Sequence, residues 1–166
     1  ARSGHVVNAD LKTMLFIIFQ LGADRYALDA SQIEEILPLV DIKPIPQTPA
    51  GVAGVFNYRG APLPVIDLSQ LLLGRPAQRR LSTRIIIIQY DDNGGNRRHL
   101  GLIAEKARET VRREASEFVP TGVSGEGSVY LGPVAPDPEG MLQWIDPRKL
   151  LPSAVRDALF QNIVES

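Results

Sequence analysis

Apolar residues in this chain come in short runs bounded by turn formers, and few of them follow a helical period. Leu15–Leu21, L-F-I-I-F-Q-L, is aromatic and β-branched and reads as a buried strand. Gly22-Ala23-Asp24 makes a turn, and Arg25–Asp29 returns in alternation, so the pair forms a hairpin. Ser31-Gln-Ile-Glu34 fits the capping box S-x-x-E and predicts a short helix over Ser31–Leu37, stopped by Pro38. Strand-like Leu39–Ile45 follows, broken by Pro44 and Pro46. Val52–Tyr58 and Ala61–Asp67 are strands joined at Arg59-Gly60, where glycine takes positive φ without a Cβ clash. Pro62 and Pro64 share one face of their strand, and their missing amide donors imply an edge position or an irregular ladder. Leu68–Leu73 forms one helical turn, closed by Gly74 and Pro76.

The polar stretch 75–84 is a linker. Arg84–Tyr90, R-I-I-I-I-Q-Y, carries the strongest strand signal, and Asp91–Asn96 turns the chain so that His99–Ala104 pairs back. Glu109–Arg113 is a further strand, Val119–Ser128 a glycine-rich loop, and Val129–Ala135 with Met141–Asp146 a final hairpin. After Pro147, the stripe Leu151, Val155, Leu159, Ile163 makes Ser153–Glu165 an amphipathic helix. About ten short strands with few helices exclude alternating βαβ units and leave small barrels or a sandwich. The two halves echo one another: each opens with a strand, turn and return strand, at Leu15 and at Arg84. Each closes on a hairpin ending in Ile-Asp, at Ile66-Asp67 and Ile145-Asp146, with leucines after it. This supports two barrels, although identity between the halves is too low to define a repeat.

Composition narrows the functional classes. At 166 residues the chain is one domain, or two small subdomains sharing a core. A net charge of -1 does not favour nucleic acid or an anionic membrane, and no apolar run approaches a membrane span. The absence of cysteine removes disulfides and thiolate catalysis and is compatible with a reducing compartment. Residues 1–13 lack periodicity and read as a flexible arm or cloning remnant ahead of the domain at 14–151, with the C-terminal helix at 152–166.

Catalytic candidates are sparse. The histidines are His5, in the arm, and His99, in a strand where packing outweighs ligation; no G-x-S-x-G accompanies them. Asp91-Asp92-Asn93-Gly94 lacks the offsets of a calcium loop, and Gly122–Gly127 lacks the G-K-[ST] of a phosphate loop. Among carboxylates, Glu34 and Glu35 face apart on a helix, while Asp67 and Asp146 follow strand ends and read as caps of the next turn. The cations are fourteen Arg against four Lys, clustered at Arg79/Arg80/Arg84, Arg97/Arg98 and Arg108/Arg112/Arg113. Arginine favours bidentate pairing and protein interfaces; aromatics do not interleave with these clusters as an RNA-binding barrel requires.

The run Gly51–Leu68, G-V-A-G-V-F-N-Y-R-G-A-P-L-P-V-I-D-L, presents one long cation on a hairpin and suits recognition better than chemistry. With Phe19–Asp29, Ile33-Glu-Glu-Ile36, I-P-Q-T-P from Ile45, Leu100–Glu109 and Met141–Asp146 followed by Leu150-Leu151, it resembles the CheW-like family, the coupling proteins of bacterial chemosensory arrays. The resemblance spans Leu15–Leu151 and implies a mainly β fold: two interleaved five-stranded SH3-like barrels on a common hydrophobic core. It implies no catalysis, cofactor or metal, and a cytoplasmic adaptor recruited to membrane-associated receptor arrays. The implied partners are a chemoreceptor's cytoplasmic helical tip and the regulatory domain of a CheA-type histidine kinase, with self-association in arrays permitted by apolar strand edges. By motif position, its receptor-binding groove between the subdomains carries over to Ile33, Glu35, Gly54, Arg59, Gly101 and Thr110, with Glu35 and Arg59 expected to pair. Such a pair orients both groups with a net stabilisation near zero. Tyr58 departs from the aliphatic residue that the family often has before Arg-Gly; it either packs or offers a hydroxyl to a partner. Rival readings are a CheW-like regulatory fragment of a larger kinase or hybrid regulator, an adaptor of a non-flagellar array governing surface behaviour or a second messenger, and a small hydrolase with two close carboxylates in a polar pocket.

Overall fold

The structure is a computed structural model that describes residues 13–91, 95, 97–120, 132–151, 155 and 157. Residues 1–12 of the expected arm, the core of the Asp91–Asn96 turn, most of the Val119–Ser128 loop, the start of the last expected hairpin and most of the C-terminal helix lie outside the described residues.

Among the described residues, nine strands form two barrels. They are β1 (Thr13–Leu21), β2 (Asp24–Asp29), β3 (Ile33–Pro38), β4 (Val52–Tyr58), β5 (Ala61–Asp67), β6 (Arg84–Asp91), β7 (Arg97–Glu114), β8 (Val134–Asp137) and β9 (Gly140–Trp144). Short helices follow hairpins at two places among the described residues: α1 (Leu68–Leu73) after β5 and α2 (Pro147–Leu150) after β9. The first barrel runs β3-β6-β7-β5-β4 and is closed by Lys43, which exchanges both backbone hydrogen bonds with Val55 of β4. The second runs β7-β1-β2-β9-β8 and is closed in the same way by Val119 against Val134 of β8. Each holds one parallel neighbour pair, β5 with β7 and β2 with β9. The mainly β, double-barrel architecture expected from the sequence is therefore present.

The echo between the halves has a structural meaning. The hairpins β1–β2 and β6–β7 occupy equivalent places, as do β4–β5 and β8–β9. Each barrel takes one hairpin from each half, so the halves are exchanged rather than set side by side. Asp67 ends β5 and caps α1, accepting from the amides of Ser69 and Gln70, and its other oxygen accepts from Ala77.

Three apolar cores fill this frame, and the alternation of β-strand side chains sorts residues among them. Ile85 and Ile87 point into the first barrel with Leu63, Val65 and Ile103. Ile86 and Ile88 point the other way, into a core between the barrels that also holds Ile17, Phe19 and Leu21 of β1 and Ile66 of β5. Phe16 and Ile18 fill the second barrel with Phe118, Ala135 and Leu142. The four-isoleucine run is apolar throughout because both of its faces are buried. Leu151 and Val155, from the expected helical stripe, close the shared core.

Three expectations are corrected. The helix over Ser31–Leu37 is instead a 3-10 turn at Ala30–Gln32, capped by Asp29 through the Ser31 amide, followed by β3. Leu39–Ile45 is not a strand; it contributes the Lys43 bridge. The pairing stretch His99–Ala104 and the separate strand Glu109–Arg113 are one strand, β7, which serves both barrels.

Candidate functional site

The hairpin between β4 and β5 turns through Arg59 and Gly60, with Tyr58 opposite Ala61. Both turn residues have positive φ, 52° and 89°, the two-residue turn whose twist matches the strands. Gly60 adopts this freely; Arg59 does so at a cost of about 1 kcal/mol. The Asn57 side chain secures the turn by accepting from the Gly60 amide at 2.8 Å.

Glu35 reaches this hairpin from β3. A bulge between Ile33 and Glu35 shifts the register against β6 and places Glu35 opposite Ile87. One carboxylate oxygen, Oε1, accepts from Arg59 Nη2 at 2.9 Å and from the Tyr58 hydroxyl at 2.6 Å. The Arg59 guanidinium also lies 5.0 Å from the Tyr58 ring centroid, within cation-π range. Tyr58 in turn meets Phe56 and His99 edge-on. The hydrogen bond to Glu35 and burial both push the Tyr58 phenol above its ordinary pKa, while Arg59 pulls it down. Although held on two sides, the Arg59 side chain keeps 67% of its surface exposed. The result is an oriented cation that faces solvent.

The other expected site residues are placed differently. Ile33 packs against the shared core from β3. Gly54 is buried in β4 at φ 142°, where a Cβ would come 2.0 Å from the Lys43 carbonyl oxygen; its glycine permits the strand closure next to it. Gly101 is buried in β7, where a Cβ would sit 3.1 Å from both Ile85 and Leu63. Thr110 is exposed on the part of β7 that belongs to the second barrel, opposite Ile17. Of the six residues, Glu35 and Arg59 are joined by a side-chain ion pair. Sequence reasoning left Tyr58 open between packing and hydroxyl donation; its hydroxyl is spent within the chain, on Glu35.

A second charged group was not anticipated. Asp137 of β8, with its side chain 4% exposed, lies between Arg25 of β2 and Arg113 of β7. Arg113 Nη2 donates to it at 3.1 Å, and Arg25 Nε faces it at 3.2 Å without hydrogen-bond alignment. Arg25 also meets Glu109 and Glu139, and Arg113 meets Glu117. In the sequence these residues looked like alternating strand positions and a turn, because their partners are more than a hundred residues apart for Arg25 and Asp137. Among the described residues no group of three or more His, Cys, Asp or Glu could hold a metal, and no helix is long and apolar enough to cross a membrane.

Paired barrels on a shared core, with a rigid charged hairpin displayed at the end of one, define a double-barrel domain of the kind that presents surfaces. The chain belongs to the CheW-like family, whose domain model matches residues 15–155. It is 29% identical to the chemotaxis protein CheW of Bacillus subtilis, over 87% of this chain and 92% of that protein. It is also 29% identical to the chemotaxis protein CheW of Treponema pallidum, over 82% and 81%. The crystal structure of the scaffolding protein TtCheW from Thermoanaerobacter tengcongensis superimposes with a TM-score of 0.73 at 25% identity, covering 86% of this chain and 90% of that one.

Proposed function

We propose that the chain is a non-catalytic adaptor of a chemotaxis or chemosensory-like pathway. It couples the cytoplasmic helical tip of a chemoreceptor to the regulatory domain of a CheA-type histidine kinase, and acts in the cytoplasm at receptor arrays. Family membership supports the adaptor role, since relatives carry the names chemotaxis protein and scaffolding protein. The observation that carries the docking site is the exposed Arg59, fixed by Glu35 and Tyr58 yet open to a partner. An ordered cation loses less side-chain freedom on binding than a loose one, which favours affinity at that position.

The test is co-purification with the receptor and kinase, comparing the parent chain with Arg59→Glu. The substitution sets two carboxylates side by side and should abolish receptor capture. Because exposed pairs contribute about 0–1 kcal/mol, its melting temperature should stay within about 2 °C of the parent. A folded variant that still captures the receptor would remove Arg59 from the docking site. A folded parent chain that binds neither partner would sink the coupling role.

A further inference from the structure

Beside Arg59 opens a cleft of about 380 Å³ whose origin is a fork between two strands. β5 and β7 are parallel neighbours, but their ladder begins only at Val65 with Gly101 and runs to Asp67 with Ile103. Upstream of it, Pro62 and Pro64 carry no amide hydrogen and cannot donate to a continued ladder. Ala61–Pro64 therefore form one wall of the cleft and Arg97–His99 the other, with Tyr58 and Arg59 at the hairpin end.

The β7 wall is suited to a peptide. Through the fork it stays paired on its far side with β6, Arg97 opposite Asp91 and His99 opposite Gln89. In an antiparallel ladder, alternate residues turn both backbone groups to the same side. Half of the backbone groups in Arg97–Leu100 therefore face β6, and half face the fork.

The charge of the cleft is equally one-sided. Its described lining residues include Arg59, Arg97, Arg98 and His99 and no carboxylate, in a chain whose net charge is -1. Arg59 shares Glu35, and Arg97 faces Asp91 at 3.9 Å. Both arginines are about two-thirds exposed, so these pairs are weak and can be exchanged for carboxylates of a ligand. The opposite wall of proline and leucine offers apolar contact. We infer that the fork binds an extended acidic peptide segment, which adds to β7 as a strand and places carboxylates on Arg59 and Arg97. Backbone pairing selects a peptide over a small anion, and the arginines select its charge. The inference does not depend on the coupling role, because it is read on the purified chain alone.

The probe is a fluorescein-labelled peptide alternating glutamate and valine, followed by anisotropy at low salt. Binding should saturate, weaken as salt is raised, and fall about tenfold or more in Arg97→Glu. Arg97→Gln, isosteric with the glutamate variant but neutral, should give an intermediate loss. Arg112→Glu, an equal charge change on an exposed position of β7 in the second barrel, should leave binding within about twofold. Amide shifts in the bound state should centre on Arg97–Gly101. Equal binding of the matched cationic peptide, with lysine in place of glutamate, would overturn the proposal. So would polyglutamate or citrate binding with no shift of those amides, which marks a site for anions only. Absence of saturable binding to the folded parent chain would also overturn it.

Discussion

Tyr58 shows how one hydroxyl reorganises a site. By donating to Glu35 it fixes the carboxylate that fixes Arg59, so two donors share one carboxylate oxygen. The neutral phenol is the form that can donate, and its pKa is raised above the ordinary value of about 10. A raised pKa means that the folded state keeps this proton at pH values where the unfolded chain releases it. The stabilisation is thus complete below the unfolded value and is lost as pH climbs through the folded one. Tyr58→Phe should accordingly remove one phenolate transition, lying above the ordinary tyrosine range, in an absorbance titration. The stability difference between parent and variant, measured by urea unfolding, should shrink as pH rises past about 10. A difference that grows in that range would contradict the assignment.

Gly54 makes a second argument at this scale. With φ at 142° and a Cβ position 2.0 Å from a carbonyl oxygen, alanine cannot be accommodated without moving the closure of the first barrel. Gly54→Ala should therefore destabilise by about 3 kcal/mol or more, read as a lower urea midpoint. In the sequence Gly54 was legible only through family resemblance; the steric reason appears when Lys43, eleven positions earlier, is brought against β4.

At the scale of elements, legibility followed periodicity. The Ile85–Ile88 run, the β4–β5 hairpin and the Asp67 cap were readable because each signal is local: a buried strand, a two-residue turn, a strand-end aspartate. The capping-box match Ser31-Gln-Ile-Glu34 predicts a helix over Ser31–Leu37, but Asp29 takes the Ser31 amide and the turn ends at Gln32. The bulge between Ile33 and Glu35 also breaks the strict alternation that would have marked β3. β7 was read as two strands for a related reason. Its middle, E-K-A-R-E, has little apolar content, and Lys106 sits at φ 52° where the strand passes from one barrel to the other.

The charged group around Asp137 belongs to this scale because it ties β2, β7 and β8 together. Asp137→Ala leaves Arg25 and Arg113 without their shared counter-charge. Both are mostly buried, so the loss should be about 3–5 kcal/mol, visible as a lower melting temperature. Replacement of Asp137 with little change would show that Glu109, Glu117 and Glu139 suffice to neutralise the two arginines.

Across the whole molecule, the core between the barrels makes each depend on the other. Ile87 lies inside the first barrel and Trp144 packs in the second. Ile87→Ala should cost about 2–5 kcal/mol. If the barrels unfold as one unit, Trp144 fluorescence should report that loss with the same midpoint as circular dichroism. An unchanged Trp144 transition would show that the second barrel unfolds alone. Periodicity in the sequence could show that there were enough strands for two barrels. It could not show that the halves exchange hairpins, since that depends on pairings such as Arg25 with Leu142.

That exchange has a consequence for how the chain is made. The first barrel is drawn from one continuous stretch, from β3 into the first part of β7, whereas the second joins β1 and β2 to β8 and β9. During synthesis, the first can close while the C-terminal strands are still inside the ribosome. The second must hold its opening hairpin in waiting until the final one emerges. Until then Phe16, Ile18 and Ala27 have no lid of Ala135 and Leu142, and the newborn chain is at its most vulnerable to chaperones, proteases and its own neighbours.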